Sequence, residues 1–466
     1  MGCGRQGGRR VYSLSIDPEG VAATMPQDLH GNEVSRASSL ALQGIDDFVS
    51  GFLAYEKKAA NIVAAADADP ESPLANIYAG FTWMFLEAAE APANAAIYLR
   101  RAEALGGELN AREAMLLEQL RLWIADDVPA MQALGDQLIA EYPRDLVAAK
   151  LHQYLSFNRG DAASMLRVAE AVLPANRDNA HVHGMLAFGY EQMHRLDDAE
   201  QAARRALDLK HKEPWAQHAL AHVMLGTGRV REGERFMAEA SRTWVDLNSF
   251  MYTHNWWHKA LFSLSLGDEA AVFDAYDRHV WGLEKAYSQD QVGAVSLLAR
   301  MEIAGLDVGE RWQDVADFLR VRTNDTLQPF LSIQYLYGLA RAGRGEADHL
   351  MAAIEDRARD DRFFDRGVWQ EVALPASRGV LAHARGRHEE AARLLGSVAP
   401  RIVEIGGSHA QRDLFGQILL DAHLKAGHWA IARQMLEMRR IWDPDGVPLN
   451  RMLAETERHL AAEPVA

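Results

Sequence analysis

The sequence predicts an all-α protein of helical hairpins stacked side by side, and three observations lead there. Ala, Leu, Glu and Arg dominate, while alternating Val/Ile/Thr runs are hard to find, a bias toward helix over sheet. The chain repeats itself: LAFGYEQMHRLDDAEQAARRAL and LAHVMLGTGRVREGERFMAEAS align so that Ala187 meets Ala221, Ala199 meets Gly233 and Ala206 meets Ala240, each 34 residues apart. Finally, 466 residues exceed one ordinary compact core. With 48% hydrophobic and 24% charged residues the chain has ample apolar material, and an elongated array accommodates it.

Taken in order, residues 1–30 (MGCGRQGGRR onward) are expected to be a flexible leader, and 31–466 a single repeat array. The leader lacks the apolar stretch of a secretory signal, and Gln6 stands where myristoylation wants Ser or Thr. Copies of the helix–turn–helix pattern begin near Phe81 and Leu151, and the best-matched pair follows from Asn179 and Glu213. Its turns are read at His194–Asp197 and at Gly226–Arg229. Small residues such as Ala187, Ala199 and Ala221 let two helices approach, while Leu186, Tyr190, Leu220 and Met237 fill the space between units. Further copies start at Ala260, Tyr337, Val380 and Leu419, with irregular stretches at 241–256 and 320–332. One hairpin cannot bury its own apolar face, so neighbours must stack. A period of 34 is that of tetratricopeptide units. About ten pairs are expected to curl into a right-handed superhelix with a concave groove.

Composition excludes several functions. A formal net charge of −16 disfavours nucleic acid as a general partner. No apolar run is long enough to span a membrane. Cys3 is the only cysteine, so no intramolecular disulfide forms, and a cytoplasmic setting is expected. Gly2, Gly4 and Gly7 match a dinucleotide fingerprint by accident, because no strand can precede them.

The chemistry lies in histidines. His218 and His222, in EPWAQHALAH, are four apart, and so are His254 and His258, in THNWWHKAL. Residues four apart share one helix face. Both pairs fall on first helices of consecutive units, so four imidazoles can converge. Three readings stay open. The rings could be half-buried packing groups, they could be acids, bases or nucleophiles, or they could ligate a metal. The metal reading is the least favoured, since neither pair brackets the Glu of an H-E-x-x-H motif; no cofactor is expected. Trp215, Trp256 and Trp257 form an aromatic wall for a flat or apolar ligand in one reading and pack between helices in the other. Asn255 orients His254 or His258, or caps a helix. In RIVEIGGSHAQRDLFGQ, Gly406-Gly407-Ser408 ends one element and caps the next. Arg412 there is a carboxylate-binding candidate, or else pairs with Asp413 as a structural brace.

The stretches LAFGYEQ (186–192), EPWAQHALAHV (213–223), HNWWHKALFSLSLGD (254–268), GERWQDV (309–315) and RIVEIGGSHAQRDLF (401–415) resemble the tetratricopeptide repeat protein 38 family, in the same order from about residue 31 onward. The resemblance implies an all-helical superhelix in which His218, His222, His254, His258, Arg412 and Asp413 belong to the shared pattern. It also implies that Trp215, His218 and His222, the second, fifth and ninth places of their unit, face the groove. Ser332 and Gln334 stand where the pattern has Asp and His. The resemblance supplies no reaction.

Two function classes follow. In the first, the groove binds a small molecule or peptide through Trp215, Asn255, Trp256, Trp257 and Arg412. In the second, His218, His222, His254, His258 and Asp413 make it the active site of a hydrolase or lyase acting on a small aromatic or apolar substrate.

Overall fold

The computed structural model describes residues 25–462. Among them no strand forms, only two isolated bridges, Gln27–Glu33 and Glu56–Leu247. Eleven helical hairpins follow one another, from Ser39–Ala54 with Asn61–Ala68 to His409–Lys425 with Trp429–Arg440, and Val447–Ala462 ends the stack. No helix among the described residues is long and apolar enough to cross a membrane. Part of the expected leader, 1–24, lies outside the described residues. Residues 25–34 form a turn in which Asp28 accepts from the His30 and Asn32 amides at 2.9 Å.

The repeat is written in local backbone chemistry. The first helix of five successive hairpins is capped by the side chain of Asn110, Asp145, Asn179, Glu213 or Asn248, each accepting from an amide of the first turn. These caps recur every 34 or 35 residues. The turn inside the hairpin recurs with them: Asp126, Gly160, His194 and Gly228, each 34 apart, all have positive φ, from 57° to 72°. That left-handed residue ends the first helix and sends the chain back antiparallel. Ala187, Ala199, Ala206 and Ala221 are fully buried, as their small size predicts. Gly233 is needed outright, because a Cβ there would lie 2.3 Å from the Phe262 ring. Leu186, Leu220 and Met237 are buried between units, but Tyr190 is half-buried beneath the Arg195 guanidinium, 4.5 Å from its ring.

The irregular stretches are shorter than the sequence suggests. Residues 249–256 already belong to Ser249–Ser265, and 329–332 to Pro329–Arg341. What remains at 241–248 is a tight turn pinned by Trp244, whose indole donates to Gln217 at 2.8 Å.

Residues far apart in sequence meet across the concave side. Glu87 accepts from Tyr154 at 2.5 Å, from Gln328 at 3.0 Å and from Gln289. Ser288 donates to the Leu86 carbonyl at 2.9 Å, and Ser265 to Asp443 at 2.8 Å. Gly160 lies so close to the Val403 carbonyl that a Cβ would collide with it. Glu87, Tyr154, Gln289 and Gln328 line one cavity on that side, and Ser265 and Asp443 line another. The apolar core forms two large bodies, one from Val34 to Phe262 and one from Trp257 to Ala422, which meet along Ser249–Ser265.

Candidate metal centre and aromatic cavity

The helix Pro214–Gly226 starts at a Glu213 cap with Pro214 in its first turn, where a missing amide proton costs nothing. Ser249–Ser265 starts at Asn248, which accepts from the Met251 amide at 3.0 Å. Asn248, not Asn255, is the cap. Each helix then delivers two imidazoles from one face, and the helices are packed neighbours. The result is a four-ring cluster. His218 Nε2 lies 3.0 Å from His254 Nε2 and 3.1 Å from His222 Nε2. The His258 ring centre is 4.8 Å from those of His218 and His254 and 4.5 Å from that of His222. One ligating nitrogen from each ring can be chosen so that all four lie within 4.8 Å of one another.

Hydrogen bonding leaves this cluster unsatisfied. A ring nitrogen carries one proton or one lone pair, so His218 Nε2 cannot make two good bonds to two other Nε2 atoms. His258 is fully buried with neither ring nitrogen partnered, and His218 Nδ1 is likewise without a partner. Buried nitrogens in that state are costly. A cation at their centre would accept all four lone pairs at once. Bonds of 2.0–2.1 Å, typical of zinc to imidazole, place tetrahedral nitrogens about 3.4 Å apart; the distances from His218 to His254 and His222, 3.0 and 3.1 Å, are near that, while the full set spans up to 4.8 Å.

Burial also keeps three of the rings neutral, as ligands must be. It pushes His218 and His258 well below their ordinary pKa and His254 down to about 3, with neighbouring imidazoles adding to the effect. On the far side of His222, Glu191 Oε1 lies 3.2 Å from Nδ1. Burial alone would raise the Glu191 pKa, but His222 and His409 outweigh it and hold the carboxyl well below the usual range. A carboxylate on Nδ1 leaves the Nε2 lone pair free and orients the ring, the usual support of a metal-bound histidine.

A pH dependence follows. An unfolded chain takes up a proton on each histidine below about pH 6.5, whereas the folded chain resists at His218, His254 and His258. Stability of the metal-free protein therefore falls as pH drops below 6.5, by on the order of 1.4 kcal/mol per unit per histidine, roughly 4 in all. Urea unfolding at pH 7.5 and 5.5 in chelator reads this directly, and His254→Gln should flatten the dependence by about a third. Equal stabilities at the two pH values would refute the assignment.

The cluster is a wall between two cavities. His218 and His254 line one of about 250 Å³, whose walls are largely aromatic rings. There Trp215 stacks on His218 at 4.4 Å, and Phe250 on His254 at 5.3 Å. His222 and Glu191 line a second cavity of about 530 Å³, with Arg300 and Asp413. His258 lies behind both.

The other expected residues divide. Trp215 walls the aromatic cavity. Trp257 is buried against His254, at 5.4 Å and nearly parallel, and its far face meets the Arg300 guanidinium at 5.1 Å. Trp256 lines neither cavity; it stacks on His279 at 3.7 Å. Helical phase accounts for this, because Trp257 shares a face with His254, His258 and Leu261, and Trp256 does not. Asn255 is fully buried with both amide atoms unpartnered, and it orients neither histidine. Arg412 and Asp413 do not pair with each other. Asp413 is gripped by both Nη atoms of Arg439, at 2.6 and 2.8 Å, while Arg412 donates to the Gly407 carbonyl. Asp413 is thus committed to an ion pair. Ser332 and Gln334 are buried and bonded to the Asp325 and Phe330 carbonyls at 2.7 and 3.2 Å.

Sequence reasoning missed Glu191, Arg300 and Lys150. Glu191 sits within the LAFGYEQ stretch, one unit before the histidines, so its place was open to inference. Arg300 carried no local signal. It is buried and donates to the Ala410 carbonyl at 2.6 Å, and burial lowers its pKa to about 10 against the pull of Asp413.

No family model matches the chain. Among solved structures it is similar to yeast Tom70, at 14% identity over 91% of this chain and 88% of that one, with a TM-score of 0.33. It is similar also to Naa15/Naa10 bound to HypK-THB, at 13% identity over 91% and 67% with a TM-score of 0.24. A third is the P58(IPK) TPR domain, at 12% identity over 77% and 100% with a TM-score of 0.20. The chain is a tetratricopeptide-like helical-repeat protein, a class that rests here on the hairpin order and the recurrence of caps and turns.

Proposed function

We propose that this protein holds one transition-metal ion, zinc in the first instance, on His218, His222, His254 and His258, and binds a small aromatic or apolar molecule in the cavity beside it. One observation carries the reading: four buried imidazoles with their ligating atoms within 4.8 Å and too few hydrogen-bond partners to explain them. An all-imidazole donor set suits zinc, copper, iron or nickel. The bridged concave face favours a small molecule over an extended peptide. The cytoplasm is the proposed setting, since its thiol-reducing conditions suit a chain with a single cysteine. Membership of the tetratricopeptide repeat protein 38 family is proposed on the five stretches that resemble it, three of which contribute His218, His222, His254, His258 and Glu191.

Metal analysis of purified protein tests this. Near one equivalent is expected in the wild type and almost none in a His218→Ala, His258→Ala double variant that keeps its helical circular dichroism. A wild type that arrives metal-free and takes up no zinc on dialysis would overturn the reading.

A catalytic role, of hydrolase or lyase type, is favoured by one specific feature: two cavities of different character reach the same cluster at different members, one at His218 and His254 and the other at His222. Incubation of wild type and double variant with cell extract tests it, and identical metabolite profiles would count against catalysis.

A further inference from the structure

Lys150 is the unexplained group in the aromatic cavity. It rises from the middle of Leu146–Asn158 and is 93% buried. Its ammonium donates to the Phe52 carbonyl at 2.6 Å and the Leu53 carbonyl at 3.1 Å, and stands 3.4 Å from the Tyr55 ring centre. No carboxylate touches it. The acid nearest in influence, Glu213, is occupied by His181 at 3.0 Å and by the Ala216 amide. The two carbonyls end the helix Ser39–Ala54, so part of the role of Lys150 is to cap it. That use leaves the third N–H to the face of the Tyr55 ring, and no carboxylate neutralises the charge. Burial works against the charged form and draws the Lys150 pKa well below its ordinary value, so an acid has much to offer there.

The cavity joins this ammonium to the histidines. Tyr55, above Lys150, is 5.1 Å from Trp215, and Trp215 is 4.4 Å from His218. A run of ring contacts, tilted at Tyr55–Trp215 and stacked at Trp215–His218, thus leads from this ammonium to the proposed metal. Empty apolar cavities of ~150 Å³ take up benzene, so about 250 Å³ suits one ring with a short side chain. We infer that the aromatic cavity selects small monocarboxylic acids bearing one aromatic or branched apolar group, with the carboxylate on Lys150 and the apolar part along Trp215. This deepens the ligand-binding reading and rests on it.

The opposite class, an amine, has two candidate partners, Glu56, which is held by Lys212 at 3.1 Å and Lys58 at 3.2 Å, and Glu87. Glu87 lines the same cavity, but its carboxyl already accepts from Tyr154, Gln289 and Gln328. The acid has the freer partner.

The test is calorimetric titration of the zinc-loaded protein and the chelated protein with 3-phenylpropionate, 3-phenylpropionamide and phenethylamine. The acid should bind tighter than the amide by roughly tenfold to a hundredfold, the worth of a charge-assisted hydrogen bond. In Lys150→Met that ratio should fall to near one while zinc content stays unchanged. Equal affinities in the wild type, a preference for the amine, no binding of any probe at millimolar concentration, or an acid preference that survives Lys150→Met would each overturn the inference. Should Lys150→Met not fold, Lys150→Arg decides: it must keep the acid preference. Metal content is read separately. An acid preference in a protein that holds no metal would refute the metal centre and leave this assignment standing.

Discussion

Asp145→Ala is expected to destabilise the protein by about 4–6 kcal/mol, the largest effect of any single truncation considered. Asp145 Oδ2 lies 2.6 Å from Arg112 Nη1, and both side chains are almost completely buried. Its other oxygen accepts from the Ala148 amide at 2.9 Å, capping Leu146–Asn158. Truncation loses the cap, about 1 kcal/mol, and strands a buried guanidinium, about 3–5 kcal/mol. The helix so capped carries Lys150 and Tyr154, and Arg112 also donates to the Glu33 carbonyl at 2.8 Å, so the damage reaches the cavity wall and the N-terminal turn. Urea unfolding measures the loss. The double change Arg112→Met, Asp145→Leu should recover most of it, because a well-packed apolar pair avoids the desolvation that the ion pair must overcome. A loss below about 1 kcal/mol in Asp145→Ala would show that the pair is exposed in solution.

The second large effect is metal removal. With free zinc held at a thousand times its dissociation constant, binding to the folded state alone adds about 4 kcal/mol of stability. Chelation should therefore shift the urea midpoint markedly in the wild type and leave His218→Gln where it was. The comparison isolates the ion from any general effect of the chelator. Superimposable wild-type curves with and without zinc would mean that the four rings hold no ion. The effect should persist at pH 5.5, because burial holds His218, His254 and His258 of the folded chain well below their ordinary pKa and few protons compete for those nitrogens.

Much of the fold was legible because its determinants are local. Caps at Asn110, Asp145, Asn179, Glu213 and Asn248 and left-handed turns at Asp126, Gly160, His194 and Gly228 all sit within a few residues of what they control. A 34-residue offset in the sequence exposes them. The convergence of His218, His222, His254 and His258 was legible for the same reason, since it needs only helical phase and the stacking of neighbours. That phase also separates Trp257 from Trp256, a distinction present in the sequence and first drawn from the structure.

What was not legible depends on contacts between distant units. Nothing near Glu87 announces Gln289 and Gln328, nothing near Asp413 announces Arg439, and Lys150 looks like one more helical lysine until Phe52, Leu53 and Tyr55 fold over it. In an open array such pairings would be absent, and neighbours alone would decide every environment.

The bridges across the concave side change how the molecule should come apart. A linear solenoid frays from its ends, each hairpin answering only to the next. Here Glu87, Gly160 and Ser265 tie their hairpins to residues 178 to 243 positions later. Loss of the last hairpins would therefore be felt near the first ones, and melting should proceed as a single event rather than as a wave.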